Sequence, residues 1–295
     1  IDVTVTVYSS NRSAKAKTTE RMKLLKIDKT TVSGSPNGLT TATTGNAYRV
    51  DDERISLGTG DVFKLKAIYE SSETFPDNVL PQFQYTNLIG SIGIDDVITG
   101  DTSGSRARVI STTSNIVYFI PVDDDVFTDG ETITGPNSTF QIFAGTLSNG
   151  ATNVTDSFEL DDGQRDQYYD YSTIVRRAGY TAPTKPLYVI VDRFLTTSGS
   201  NPYTVDSYQT SEYKEIPNYN SENLRDVIDF RPIVAEQLGG AGSVASPWTL
   251  SATKYLDFDN RAFTGNLTGL PGIGDTTILS IPVSYTHLTL PTKRI

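Results

Sequence analysis

The chain has 295 residues, a formal net charge of −10, no cysteine and a single histidine. Disulfide staples and thiolate chemistry are excluded; the acidic balance argues against nucleic acid or an anionic membrane as partner, and no apolar run approaches the ~20 residues of a membrane-spanning helix. Abundant Thr, Ser, Asp, Asn and Gly, with 16 tyrosines against 12 phenylalanines, predict an all-β chain of short strands joined by polar turns.

The first predicted strand runs from Ile1 to Val7, where Ile1, Val3, Val5 and Val7 alternate with polar residues. The start at Ile1 is read as a truncation inside a longer protein. Between Arg12 and Lys29 lies the one basic cluster (Lys15, Lys17, Arg21, Lys23, Lys26). Threonines dilute it, so it reads as a solvated strand face. Lys23–Asp28 is better suited to a strand than a helix, because β-branched Thr30, Thr31 and Val32 follow. Val62–Tyr69 is a strong strand. Residues 1–86 together form the first part of a β-sandwich of immunoglobulin or fibronectin type.

Residues 87–147 read as a unit of their own. Asp96-Val-Ile-Thr-Gly100 recurs as Glu131-Thr-Ile-Thr-Gly135, each followed by a small polar turn and another strand. Each copy predicts a hairpin with glycine supplying positive φ at the turn. Asn115–Ile120 adds a strand, and Asp123–Gly130 an acidic loop. Two copies are too few for a solenoid, so they predict pseudo-symmetry within one small inserted β-barrel. Its expected core is Val97, Ile98, Val109, Val117, Phe119, Phe127, Ile133, Ile142 and Phe143.

Residues 148–232 complete the sandwich. Pro186–Asp192 is apolar almost throughout, which predicts a strand buried on both faces or lying at a sheet centre. Ser221–Ile228 has the spacing of two helical turns, with Ser221 as N-cap and Leu224, Val227 and Ile228 on one face. Residues 233–249, rich in Gly and Ser, predict a linker with Trp248 at the edge of the next module; 250–282 would begin that β module. Val283–Thr292 resembles the translation of a transposase-type sequencing adapter, so 283–295 is read as foreign and left out of fold reasoning. His287, the only histidine, falls inside it. Imidazole-based triads and metal sites are then absent from the rest of the chain.

Carboxylates are what remains for chemistry, and they concentrate in Phe158-Glu-Leu-Asp-Asp-Gly-Gln-Arg-Asp-Gln-Tyr-Tyr-Asp-Tyr171. Paired acids hydrolyse glycosides across a sugar-sized cleft. Asp161 or Asp166 with Tyr168 and Tyr169 as a stacking platform would suit a glycan-binding or glycan-cleaving receptor module. The bland reading is a structural clasp in which Arg165 forks onto Asp161, Asp166 or Asp229, and it is preferred. Asp123, Asp124, Asp125 and Asp129 are weak calcium candidates that do not follow the EF-hand loop pattern. No metal and no cofactor is expected, and no residue is assigned a catalytic role.

Several segments in order then resemble a known family. They are Ile55–Ser71, Phe158–Tyr171, Val205–Tyr208, Tyr213–Pro217 and Leu224–Pro232, of which Gly163-Gln-Arg-Asp166 and Asp229-Phe-Arg-Pro232 are the most specific. Together they resemble the large virion structural proteins of tailed phages, especially those of T-even-like myoviruses of marine cyanobacteria, over roughly residues 50–235. The barrel-like repeat is similar to units scattered through phage tail proteins. The resemblance implies a non-enzymatic tail, baseplate or fibre-associated scaffold, assembled in the host cytoplasm into the virion. Its implied partners are other virion proteins and further copies of the chain, with a host surface glycan as the alternative ligand.

Overall fold

A computed structural model describes residues 14–27, 46–47, 49–71, 79–166, 168–196, 202–210, 213–219, 221–224, 226–229, 231, 233, 236 and 238–250. The expected strand Ile1–Val7, the module 250–282 beyond Leu250 and the adapter-like segment lie outside them. The described residues are almost entirely strand and turn. In chain order the strands are β1 (Lys17–Ile27), β2 (Asn46–Ala47), β3 (Arg54–Ser56), β4 (Val62–Glu70), β5 (Gln82–Gly90), β6 (Val97–Gly100), β7 (Arg106–Thr113), β8 (Ile116–Pro121), β9 (Thr132–Thr134) and β10 (Ser138–Ile142). There follow β11 (Thr152–Asn153), β12 (Phe158–Asp161), β13 (Thr173–Arg176), β14 (Leu187–Thr196), β15 (Tyr208–Gln209), β16 (Asn218–Tyr219), β17 (Glu222–Asn223), β18 (Leu238–Gly239) and β19 (Trp248–Leu250).

A seven-stranded sheet of order β11-β4-β14-β1-β19-β18, with β15 also on β1, packs on a four-stranded sheet of order β12-β13-β3-β2. The core between them joins Leu25, Ile27, Ile68, Val189, Val191 and Trp248 to Ile55, Phe158 and Ile174. β14 sits at the centre, antiparallel to both β1 and β4, and its first eight residues are all buried. Its continuous apolar run is explained by a cover on each side. One face meets the four-stranded sheet. The other meets the barrel, through Ile110 and Ile120 against Met22, Leu24, Tyr188 and Ile190.

The inserted unit is a closed barrel of order β10-β5-β8-β7-β6-β9. Its core holds Phe83, Ile98, Val109, Val117, Phe119, Phe127, Ile133, Phe140 and Ile142. Phe143, expected inside, is instead 52% exposed just past the end of β10, where its N–H donates to the Gln84 carbonyl. The barrel takes in all of β5 from Gln82, because Phe83 points into its core. The two repeat copies form the hairpins β6–β7 and β9–β10, and they pair with each other through Thr99↔Thr134 and Gly100↔Ile133. The acid at the head of each copy caps the turn before it. Asp96 accepts the Gly93 N–H at 2.7 Å and Glu131 accepts the Thr128 N–H at 2.6 Å, each three residues back.

Three expectations change. The basic stretch is no solvated face: Lys17 is fully buried, Arg21 forks onto Glu215 at 2.7 Å, and Lys23 meets Glu20 at 3.2 Å. An acidic chain folds its carboxylates onto this strand. A bulge sets Arg21 and Met22 opposite Asp192, which is fully buried and accepts from Met22 N–H at 2.9 Å, Arg21 at 3.1 Å and Lys66 at 3.0 Å. Lys66 bridges on to Asp95 at 3.0 Å, which Arg108 also reaches at 3.2 Å, tying sandwich to barrel.

The stretch 221–224 is not helical. Ser221 turns the chain with φ 67°, Glu222–Asn223 pairs with Asn218–Tyr219, and Leu224 is buried in a tyrosine cluster. Residues 233–249, expected as a linker, carry two strands of the large sheet instead. Trp248 is only 4% exposed, is registered with Leu25, and lies under Arg193, whose guanidinium carbon is 4.3 Å from the ring centroid. Burial of one tryptophan plus this cation–π contact is enough to dock a Gly/Ser-rich hairpin.

Candidate functional site

The acidic and aromatic corner begins where β12 leaves its partner β13. Asp161 and Asp162 accept the N–H groups of Gly163 and Gln164, both at 3.0 Å, as side-chain-capped turns. Gly163 has φ 82°, and a Cβ there would lie 2.4 Å from the Asp170 carbonyl oxygen. No other residue fits that approach. Arg165 then forks onto Asp161, Nη1 to Oδ1 and Nη2 to Oδ2, both at 3.0 Å, and Arg54 reaches the same Oδ2 at 2.6 Å. Burial alone would raise the Asp161 carboxyl, but Arg165, the Gly163 N–H and Arg54 outweigh it and hold it below the usual range. Asp162, with a single backbone donor against its burial, is pushed up.

The second specific segment meets the first here. Asp229 is gripped by Arg231, with Nε to Oδ1 at 3.1 Å and Nη2 to Oδ2 at 3.0 Å, and it also receives the Tyr169 hydroxyl. Arg231 reaches on to the Gln164 side chain at 3.0 Å and to the Arg165 carbonyl. Asp229 and Tyr203 exchange backbone hydrogen bonds at 2.9 and 2.8 Å. Of the carboxylates expected to clasp Arg165, Asp161 does so. Asp229 is taken by Arg231 instead, Asp170 approaches Arg165 Nε at 3.7 Å, and Asp166 is exposed at a shallow hollow that it lines together with Asp229, Arg231, Leu224, Val227 and Ile228.

Tyr169, proposed as half of a sugar platform, is fully buried and is not available for stacking; Tyr168 is half-buried. Tyr169 packs edge-on to Tyr203, and both join Tyr208, Phe194, Ile216 and Leu224 in a separate small core. Lys17 enters this core from the end of β1. Its Nζ is 4.2, 4.3 and 5.0 Å from the ring centroids of Tyr169, Tyr203 and Tyr208, and 2.7 Å from Asp61 Oδ2. Both charged side chains are completely buried. This group is the most unusual chemistry in the molecule, and sequence reasoning missed it. The available signal was Asp61 itself, an acid placed between Gly60 and a strong strand inside the segment Ile55–Ser71.

The calcium candidates do other work. Asp123 pairs with Arg106, Nε to Oδ2 at 3.1 Å, and Asp129 accepts the Gly145 N–H at 2.8 and 2.9 Å. The Asp125 carbonyl accepts the Ser105 hydroxyl at 2.9 Å, and Asp124 lies with them around a shallow depression. Among the described residues no three His, Cys, Asp or Glu side chains are placed to hold a metal ion. No family model, no curated protein and no solved structure matches the chain.

Proposed function

We propose that this chain is a structural component of a phage virion, a tail, baseplate or fibre-associated scaffold that acts through protein–protein assembly. The observation that carries this reading is where the two most specific phage-like segments meet. Gly163–Asp166 and Asp229–Arg231 are joined by Arg231 to Gln164, and Tyr169, just beyond the first segment, donates to Asp229, so the two segments brace each other at the rim of a shallow hollow. The barrel adds surface suited to partners: Leu88, Ile89, Ile94, Val122, Val126 and Phe143 are large apolar side chains on its strands and loops that face solvent. Exposed apolar side chains concentrated on one module favour docking to other proteins or to further copies of the chain.

Mass spectrometry of purified particles tests the reading, using a phage that encodes the full-length gene. The protein is expected among the virion proteins at a stoichiometry fixed relative to the tail components. Its absence from intact particles would refute the assignment.

A further inference from the structure

We infer that Lys17 and Asp61 are joined by a self-formed isopeptide bond, an amide between lysine Nζ and aspartate Cγ, closing the chain across residues 18–60. The inference is independent of the virion reading and rests on how these two side chains are held.

Proximity and isolation come first. Nζ and Oδ2 are 2.7 Å apart and both side chains are 0% exposed. Yet among the described residues Nζ makes no directional hydrogen bond and Oδ1 has no hydrogen-bond partner at all. Besides Lys17, the Thr196 hydroxyl lies 3.4 Å from Oδ2. A buried ion pair kept for stability usually satisfies its remaining lone pairs and protons, because desolvation otherwise exceeds the Coulomb gain. Here Oδ1 is left without a partner, and besides Oδ2 the ammonium meets tyrosine ring faces in place of hydrogen-bond acceptors.

The surroundings exclude water. Tyr169, Tyr203 and Tyr208 ring the ammonium, and Phe194 stands edge-on to Tyr208 at 5.3 Å. Burial draws the Lys17 pKa down against the pull of Asp61, which favours the neutral, nucleophilic amine. Lys15, Asp229 and Arg231 are the other charges acting on the group: Lys15 Nζ lies 5.0 Å from the Tyr203 centroid, and Arg231 covers Tyr169 at 4.5 Å.

The backbone of Asp61 is fixed in a conformation non-glycine residues avoid. Its φ is 66°, its carbonyl accepts the Phe194 N–H at 3.0 Å, and the next N–H donates to the Ser172 hydroxyl at 3.1 Å. Left-handed backbone at a non-glycine residue persists where the surroundings over-determine it, a common property of reactive sites. Held reactants at this separation convert a bimolecular condensation into an intramolecular one.

The step balances within the pair. A proton passes from the ammonium to the carboxylate, giving amine and acid. The Nζ lone pair attacks Cγ. The C–O bond to the protonated oxygen then breaks, a second Nζ proton leaves with that oxygen as water, and one N–H remains on the amide. Nothing is oxidised or reduced and no co-reactant is needed. The product replaces two buried charges by one neutral amide, which suits a tyrosine-lined core better.

Intact-mass spectrometry of the purified, folded full chain is the test. The expected mass is that of the sequence less one water. A protease map should contain a branched peptide joining the Lys17 and Asp61 segments, with no tryptic cleavage after Lys17. Lys17→Met and Asp61→Ala are each expected to restore the full mass. A wild-type chain at its full sequence mass, with circular dichroism showing that it is folded, would overturn the inference. So would water loss that persists in Lys17→Met, since it would place the dehydration elsewhere in the chain.

Discussion

Glu131 offers the sharpest test of how the barrel is held. It is 6% exposed, and its carboxylate accepts the N–H groups of Thr102 (2.9 Å), Ser103 (2.9 Å) and Thr128 (2.6 Å), and the Ser103 hydroxyl (2.7 Å). One side chain from the second repeat thus caps both its own turn and the turn of the first. The cradle is tight, since a Cβ on Gly100 would lie 2.5 Å from Oε1. Hydrogen bonds to a charged acceptor are worth about 1.5–3 kcal/mol each, but they are not additive and freed N–H groups near the surface recover water. Glu131→Ala should therefore destabilise the barrel by about 3–4 kcal/mol, and Glu131→Gln by about 2 kcal/mol, because the amide keeps one acceptor and turns a donor toward donors. Asp96→Ala removes the single equivalent bond to Gly93 and should cost about 1 kcal/mol.

Hydrogen exchange read by mass spectrometry on β6 and β9 is the suitable assay, since the one tryptophan lies in the sandwich and does not report on the barrel. A loss of about 3 kcal/mol is roughly a hundredfold faster exchange in these strands. The pH dependence adds a check on sign. Burial would raise the Glu131 carboxyl, but the hydrogen bonds of Ser103, Thr128 and Thr102 win and hold it below its ordinary value. Its contribution is therefore complete above the unfolded value of about 4.3 and fades as pH falls through the lower folded value. The gap between wild type and Glu131→Gln should close on acidification. Exchange in Glu131→Ala within threefold of wild type, or a larger effect from Asp96→Ala, would show that Glu131 does not hold the two turns.

Two further predictions follow from the sandwich. Arg231→Ala should cost about 2–4 kcal/mol in urea denaturation, since it removes the countercharge of the buried Asp229 carboxylate and leaves it the Tyr169 hydroxyl and the backbone N–H of residue 231, whereas Arg165→Ala, whose side chain is 34% exposed, should cost about 1 kcal/mol or less; equal effects would show that the Arg231 bridge is not the brace. Asp52, whose carboxyl is pushed up to about 6 by burial, ionises in the folded protein only at the expense of stability, so the wild type weakens as pH rises from the unfolded carboxyl range through 6. Asp52→Asn should raise the melting temperature at pH 7.5, by about half as much at pH 5, and leave it nearly unchanged at pH 3.5, below the unfolded carboxyl range, as read by calorimetry; a gain of equal size at pH 3.5 and pH 7.5 would sink the argument.

Much of the fold is legible in particular residues. The apolar run of β14 announces a strand covered on both faces. The repeated Ile-Thr-Gly after Asp96 and Glu131 announces two hairpins, although the positive φ expected of a turn glycine is found at Gly104 in the first copy and not at Gly135 in the second. The site is less legible. Arg165 to Asp161 is a local pairing and can be read from spacing, but Arg231 to Gln164 and Lys17 to Asp61 join segments far apart in the chain. Lys17 stands among threonines and lysines, so its composition points outward, and only three tyrosines from other segments turn it inward. Trp248 likewise docks a stretch whose glycines and serines describe a linker, because burial of one large ring outweighs the conformational freedom of a short hairpin.

The barrel leaves and rejoins the sandwich through adjacent strands. Gln82 and Ser148 exchange backbone hydrogen bonds at 2.9 and 2.8 Å, and the Ala151 N–H donates to the Val79 carbonyl at 2.8 Å. Gly150 permits this closeness, since a Cβ there would lie 2.6 Å from the Val79 carbonyl oxygen. A gene with such a junction can gain, lose or trade the inserted unit by recombination while the host module keeps its own strand order. The exchange is conditioned by one surface: whatever occupies the position must still cover Met22, Leu24, Tyr188 and Ile190, which Ile110 and Ile120 now shield from water. Diversity among related chains should therefore concentrate on the far side of the barrel, with this apolar seat as the inherited constraint.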